Sequence, residues 1–273
     1  MSNSTPLPDQ GQQAKIDPTV AHSARVWNYW LGGKDNFASD REVAEQILTV
    51  MPDLVDSARA DRAFLGRAVR FLVAEAGIRQ FLDIGTGLPT ADNTHEVAQS
   101  VAPECRVVYV DNDPIVLTHA RALLVGTPEG VTDYIEADLN DPEMILKQAA
   151  RTLDLTRPVG LMLLGSLNFI VDTAKAMAIV KHLVDAIPSG SYLAIAHPTA
   201  EVHGDAMIEA VQRWNEAGSA PMTLRTSSDL AAFAEGLEIL EPGVVSCSQW
   251  RPEPDDFDAR QEVSQFCVLA RKP

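Results

Sequence analysis

From residue 78 onward the chain alternates short apolar runs with amphipathic stretches, and this alternation limits the fold more than any other feature. Runs of strand length occur at 80–84, 106–111, 133–136, 159–164 and 191–197. Helical spacing fits between and after them at 91–101, 114–124, 142–150, 173–186 and 204–216. Apolar strands separated by helices pair in parallel, with helices covering both faces of the sheet. Two more strands, at 237–240 and 263–270, have little helix between them and predict a terminal antiparallel hairpin. The expected fold class is therefore α/β, Rossmann-like, with a mostly parallel sheet over 78–273.

The N-terminal third reads differently. Residues 1–20 are polar and rich in Pro, Gln and Ser, which predicts a disordered tail. In SARVWNYWLGGKDNF, Val26, Trp27, Tyr29, Trp30 and Leu31 crowd a short helix that Gly32-Gly33 should stop. Ser39 and Glu42 have capping-box spacing for a second helix ending near Pro52. A third helix is expected over 54–76, with Gly77 at its C-terminus. Residues 21–77 thus predict a helical cap.

Charge narrows the partners. Twenty-two Lys and Arg stand against 38 Asp and Glu, a net charge of −16, which argues against a nucleic-acid binder. The three cysteines, Cys105, Cys247 and Cys267, form no C-x-x-C pair and read as reduced, packed thiols. The N-terminus has no apolar signal core, and no run of 18 apolar residues predicts a membrane span. A cytoplasmic location is expected.

The strongest chemical signal is FLDIGTGLPT, residues 81–90. An apolar strand runs into Asp83, then Gly85, Thr86 and Gly87, where backbone must turn tightly and approach a ligand. A dinucleotide fingerprint would put a third small residue at position 90, and Thr90 stands there instead. Asp83 would repel a pyrophosphate and suit a cationic ligand. The second signal is VVYVDNDP, residues 107–114, where Asp111 ends a strand 24 residues after Gly87. Open α/β nucleotide binders place there the acid that accepts from the ribose hydroxyls, and Asn112 follows it. Asp113 and Pro114 read as the start of a helix. Asp138 and Leu139 follow the third strand; Asp138 fits either an adenine amine or a turn. Ser166 and Asn168 follow the fourth strand, at the end where such sheets bind ligands.

With these signals together, the chain resembles the class I S-adenosylmethionine-dependent methyltransferases. It is most similar to an actinobacterial-type S-adenosyl methyltransferase family, through HSARVWNYWLGGKDNF, RQFLDIGTGLPT, HEVAQ, VVYVDNDPIVL, ARALL and ARKP. The resemblance spans about residues 22–273. It implies a seven-stranded sheet in the order 3-2-1-4-5-7-6, a helical cap over the cofactor, S-adenosyl-L-methionine as that cofactor, and small natural products as acceptors. In one respect the chain departs from the family pattern. Between Leu167 and Phe169 that pattern has a histidine, where this chain has Asn168.

Methyl transfer is an in-line displacement, so the protein's main task is alignment, with a base where the nucleophile carries a proton. His197, ending the fifth strand, is the expected general base, with Tyr29 and Asn168 as further catalytic candidates. A structural role for His197 is the alternative. Trp27 and Trp30 read as core, and Arg25, Asn28, Lys34 and Asn36 as candidates for the cofactor carboxylate. His95, His119 and His182 read as surface or structural. No His, Cys and Asp cluster has metal-ligand spacing, so no metal is expected. The expected function is methylation of a small molecule, an aromatic or heteroaromatic natural product of secondary metabolism. The expected partners are a small-molecule methyl acceptor, no nucleic acid and no membrane, with a homodimer left open. Two rival readings are a non-catalytic cofactor binder and an NAD-linked oxidoreductase.

Overall fold

The computed structural model describes residues 17–113, 115, 116, 118, 126–217, 220–253 and 261–273. Most of the expected tail, residues 1–16, and most of the helix expected over 114–124 lie outside them.

Three helices come first: α1 (Ser23–Trp30), α2 (Ala38–Leu48) and α3 (Leu54–Ala74). Gly32 stops α1 by adopting φ +79°, a left-handed conformation that costs glycine little. The start of α2 corrects the expected capping box. Phe37 is the N-cap, and Asp40, not Glu42, accepts from the Phe37 amide at 2.7 Å. Ser39 instead donates to the Pro18 carbonyl at 2.8 Å.

The sheet follows. Strands β1 (Gln80–Ile84), β2 (Arg106–Asp111), β3 (Val131–Glu136), β4 (Gly160–Leu164) and β5 (Tyr192–Pro198) pair in parallel. Strand β8 (Gln265–Arg271) runs antiparallel to β5. Its other edge is covered in two pieces, β6 (Glu238–Ile239) and β7 (Val245–Ser246). The order is β3-β2-β1-β4-β5-β8-β6, with β7 also on β8. The expected order is thus realised with eight strands rather than seven. A two-residue strand such as β7 is too short to show a period in sequence. The intervening helices are α4 (Thr94–Val101), α5 (Pro142–Ala149), α6 (Thr173–Asp185), α7 (Gly204–Glu216) and α8 (Ser227–Phe233). Among the described residues no helix is long and apolar enough to cross a membrane.

Successive strand residues point to opposite faces, and the core divides accordingly. Phe81, Val107, Tyr109, Met162, Ala194 and Leu269 face α3 and α4, where Phe64 and Leu72 of α3 pack on them. Leu82, Val108, Val110, Leu161, Leu163 and Ile195 face α5 and α6, meeting Ile145 and Leu183. Each such large apolar side chain contributes about 1.5–3 kcal/mol by burial. A third cluster stands above the carboxyl ends of the strands. It joins Val26 and Trp30 of α1, Ile47 of α2 and Leu54 of α3 to Met207, Ala210 and Trp214 of α7. The roof is therefore shared between the N-terminal helices and α7. All three cysteines are free and buried.

Candidate functional site

Between this roof and the carboxyl ends of β1–β5 lies a cavity of about 400 Å³. Small-molecule sites span roughly 300–1,000 Å³, and open α/β sheets bind ligands at this edge.

The floor is the loop after β1. The amide of Gly85 donates to the Val110 carbonyl at 2.8 Å, which fastens the loop to β2. A Cβ on Gly85 would lie 2.4 Å from Cβ of Ser166, and its φ is +81°. Close approach of the β4 loop and backbone conformation both demand glycine here. Thr90, the residue that breaks the dinucleotide pattern, is held by the guanidinium of Arg62, which also donates to Asn93 Oδ1 at 2.8 Å and to the Ala91 carbonyl at 3.1 Å.

Asp111 stands beside this floor. Its two carboxylate oxygens accept from the Gly87 and Asp113 amides, each at 2.9 Å. Burial raises its pKa against these two bonds. Each oxygen keeps a further acceptor position free. Asp113 has its carboxyl held below the usual range: burial pushes it up, but the His22 imidazole, 3.0 Å away, together with the Ile115 amide and the Arg25 charge, outweighs that.

Two acids, Asp61 and Asp83, sit deeper in the cavity. Burial pushes the pKa of each up to about 6. Asp83 accepts from Thr94 Oγ1 at 2.6 Å, and Asp61 accepts from Gln265 Nε2 at 3.0 Å. Arg62 is the one lysine or arginine among the described residues lining the cavity, so the chamber favours a cation.

Ser166 and Asn168 line the chamber as well, on the loop after β4. Ser166 Oγ, Asn168 Oδ1 and Trp30 Nε1 are buried without a hydrogen-bond partner. Such groups cost about 1–3 kcal/mol each; of the seven such side-chain atoms among the described residues, these three belong to residues of one chamber, where a ligand would supply partners. The outer walls are apolar and aromatic: Trp27, Trp30, Phe169, Trp214, Met207 and Met222.

The cavity therefore gathers Asp83, Gly85, Thr86, Gly87, Asp111, Asn112, Asp138, Leu139, Ser166 and Asn168. Three expected site residues lie elsewhere. Arg25 does not reach the cavity; it is buried against Asp40, with Nε 2.9 Å from Oδ2, and donates to the Val20 carbonyl. Tyr29 turns outward and donates to Glu45 at 3.0 Å. His197 has no exposed surface, and both its ring nitrogens are engaged. Nδ1 bonds the Pro198 carbonyl at 2.9 Å, and Nε2 accepts from Arg225 at 2.8 Å. Burial pushes its pKa down to about 4. A lone pair already committed to a guanidinium cannot take a substrate proton.

Of the weaker candidates, Asn28 lines the cavity but spends its side chain on Asp35 and Asn36, and Lys34 is exposed. His95 is buried with Nδ1 2.8 Å from Tyr109 Oη, and His119 lies outside the described residues. Sequence reasoning missed Asp61, Arg62, Gln265 and the contribution of α7. Asp61 carried a signal. It falls in the helical series Leu54, Ala58, Asp61, Leu65, Ala68, Leu72, an acid on the buried stripe of α3.

The role of His197 is testable. His197→Ala should lower stability by about 2–3 kcal/mol, because Arg225 loses a buried acceptor and a cavity opens. Urea denaturation would read this. Cofactor affinity, followed by calorimetry, should stay within about twofold. Unchanged stability would return His197 to the candidates for catalysis.

Comparison with known proteins bears on the family and the fold. The model of the S-adenosyl methyltransferase family matches residues 9–273. A DUF574 family protein from Streptomyces avermitilis is 46% identical, covering 95% of this chain and 100% of its own, with a TM-score of 0.91. A candidate methyltransferase from Thermobifida fusca is 40% identical over 93% of this chain and 96% of its own, with a TM-score of 0.83. An S-adenosylmethionine-dependent methyltransferase from Anabaena variabilis, at 14% identity and a TM-score of 0.53 over 85% and 94% of the two chains, shares the fold. No curated protein matches the chain.

Proposed function

The chain belongs to the S-adenosyl methyltransferase family, and from that premise we propose that it methylates a small aromatic or heteroaromatic natural product of secondary metabolism. The enzyme class and the cofactor, S-adenosyl-L-methionine, follow from the family. The residues fit that cofactor. Asp111 offers free acceptor positions to the ribose hydroxyls, and Asp138 stands at the β3 end for the adenine amine. Gly85 clears the floor, Ser166 Oγ lacks a partner there, and Asp61 and Asp83 suit a cationic methionyl group. When bound, the cofactor supplies an electrophilic methyl group on a sulfonium.

The protein's own residues do the rest. The roof helices hold a flat acceptor over the β4 loop and exclude water, which raises the effective concentration of the nucleophile. Where that nucleophile carries a proton, Asp61 is the group we assign to receive it, in place of His197. Its carboxylate lines the cavity, and a pKa near 6 leaves it ionised at neutral pH yet basic enough to accept. The single observation that carries the small-molecule reading is the chamber itself: about 400 Å³, lined on the roof side by Trp27, Trp30 and Trp214. The net charge of −16 disfavours a nucleic-acid acceptor. In this reading α1 and α2 belong to the cap, and α3 serves both cap and sheet.

Calorimetric titration with S-adenosylmethionine, S-adenosylhomocysteine and NAD tests the cofactor site. Micromolar binding of the first two and none of NAD is expected. Transfer of labelled methyl to members of an aromatic panel, with none to RNA or protein, tests the acceptor class. NAD binding alone, or label in macromolecules only, would overturn the proposal.

A further inference from the structure

We infer that the acceptor is a planar heteroaromatic molecule carrying one hydrogen-bond acceptor, read by the Trp30 indole N–H, and one hydrogen-bond donor, read by the Asn168 side-chain oxygen. The inference rests on the reading of the chamber as an acceptor site and sharpens it.

Both groups are fixed by contacts that leave their polar atoms unused. Trp30 meets Trp27 edge-on, with ring centroids 5.9 Å apart, and packs in the roof cluster with Val26 and Ile47. Its indole nitrogen is a donor only, and it is buried without a partner. Asn168 sits on the single helical turn Leu167–Phe169. Arg225 clamps that turn, donating to the Leu167 carbonyl at 2.9 Å and the Ile170 carbonyl at 2.6 Å. The Asn168 backbone carbonyl accepts from the Thr223 amide at 2.9 Å. The turn is thus tethered at Leu167, Asn168 and Ile170, while Asn168 Oδ1 has no partner. A rigid amide left unsatisfied is destabilising, and a ligand donor would relieve that cost.

The surrounding wall says what shape bears these polar atoms. The ring centroids of Phe169 and Trp214 lie 6.2 Å apart, and with Trp27 and Met207 they line the chamber. Such walls favour a flat, apolar body. A plain arene would leave both polar groups unpaired, and a sugar would bring hydroxyls that these walls cannot satisfy. Sites built to hydrogen-bond a ligand discriminate strongly against analogues that lack the partner.

The test titrates the enzyme saturated with S-adenosylhomocysteine with three flat probes by calorimetry. 4-Hydroxyquinoline carries a donor and an acceptor in either tautomer, quinoline carries an acceptor only, and indole carries a donor only. 4-Hydroxyquinoline should bind about tenfold tighter than the other two. Trp30→Phe should weaken 4-hydroxyquinoline and quinoline about tenfold and leave indole unchanged. Asn168→Leu should weaken 4-hydroxyquinoline and indole and leave quinoline unchanged. Failure of 4-hydroxyquinoline to bind at millimolar concentration would overturn the inference, as would equal losses for all three probes in either variant. If S-adenosylhomocysteine itself does not bind the wild-type enzyme, the cofactor reading falls rather than the acceptor reading alone.

Discussion

Asp111→Ala should lower affinity for S-adenosylhomocysteine by about 100- to 1,000-fold, the largest single-residue effect expected in this site. The reason lies in how the carboxylate is held. Gly87 and Asp113 each donate one amide to it at 2.9 Å, so its free acceptor positions are aimed rather than mobile. Hydrogen bonds to a charged acceptor contribute roughly 1.5–3 kcal/mol each, and tenfold in affinity is about 1.4 kcal/mol. Two ribose hydroxyls therefore account for about two to four orders of magnitude, and the lower part of that range is the loss expected here. Asp111→Asn should not rescue binding, because its amide nitrogen would face one of the two backbone donors. Calorimetry on both variants would measure this, with the thermal midpoint as a control on folding. A loss below tenfold in a folded variant would place the ribose elsewhere.

The second large effect is on pH. Affinity for S-adenosylmethionine should be level above about pH 7 and fall below pH 6, by up to about tenfold per unit for each of the two acids the cation needs ionised. Burial raises Asp61 and Asp83 to about 6, so both lose their charge on acidification through that value. A cation binds their ionised forms, and protonation competes with it. S-adenosylhomocysteine lacks the sulfonium charge and should fall less steeply. The same shifts act on folding with the opposite preference. An acid whose folded pKa lies above its unfolded value holds its proton more tightly when folded, so its contribution to stability declines as pH rises from about 4 to about 6. The difference of about two pH units corresponds to roughly 2–3 kcal/mol for each group. Asp61→Asn should accordingly be more stable than wild type at pH 7.5, with the gain fading towards pH 4. A pH-independent affinity ratio between the two ligands would refute this account of the acid pair.

Much of the framework was legible because its strands are buried on both sides. Gln80–Ile84 and Tyr192–Pro198 are covered along their whole length, so they read as mainly apolar runs rather than as apolar and polar residues in alternation. The candidate cofactor loops were read from strand ends and glycines, and they line one cavity. The misreading of His197 is a matter of parity. Ala194 and Ala196 face α3, whereas Leu193 and Ile195 face α6. Pro198 then enters the cavity, and His197, one residue earlier, turns away to meet Arg225. Arg25 failed for another reason: its partner Asp40 lies on the next helix, and tertiary pairing leaves no local signature. The assignment of α7 to the roof was equally invisible, since an amphipathic helix does not announce which surface it will cover.

The shared roof has an evolutionary consequence. The groups suited to the cofactor sit on the sheet's loops and on α3, while Trp27, Trp30, Met207 and Trp214 come from two stretches that add no strand. Those stretches can be rewritten without disturbing the pairing of β1, β2 and β4. Under the proposed reading, a lineage with this architecture can therefore change its acceptor while keeping the groups suited to the cofactor.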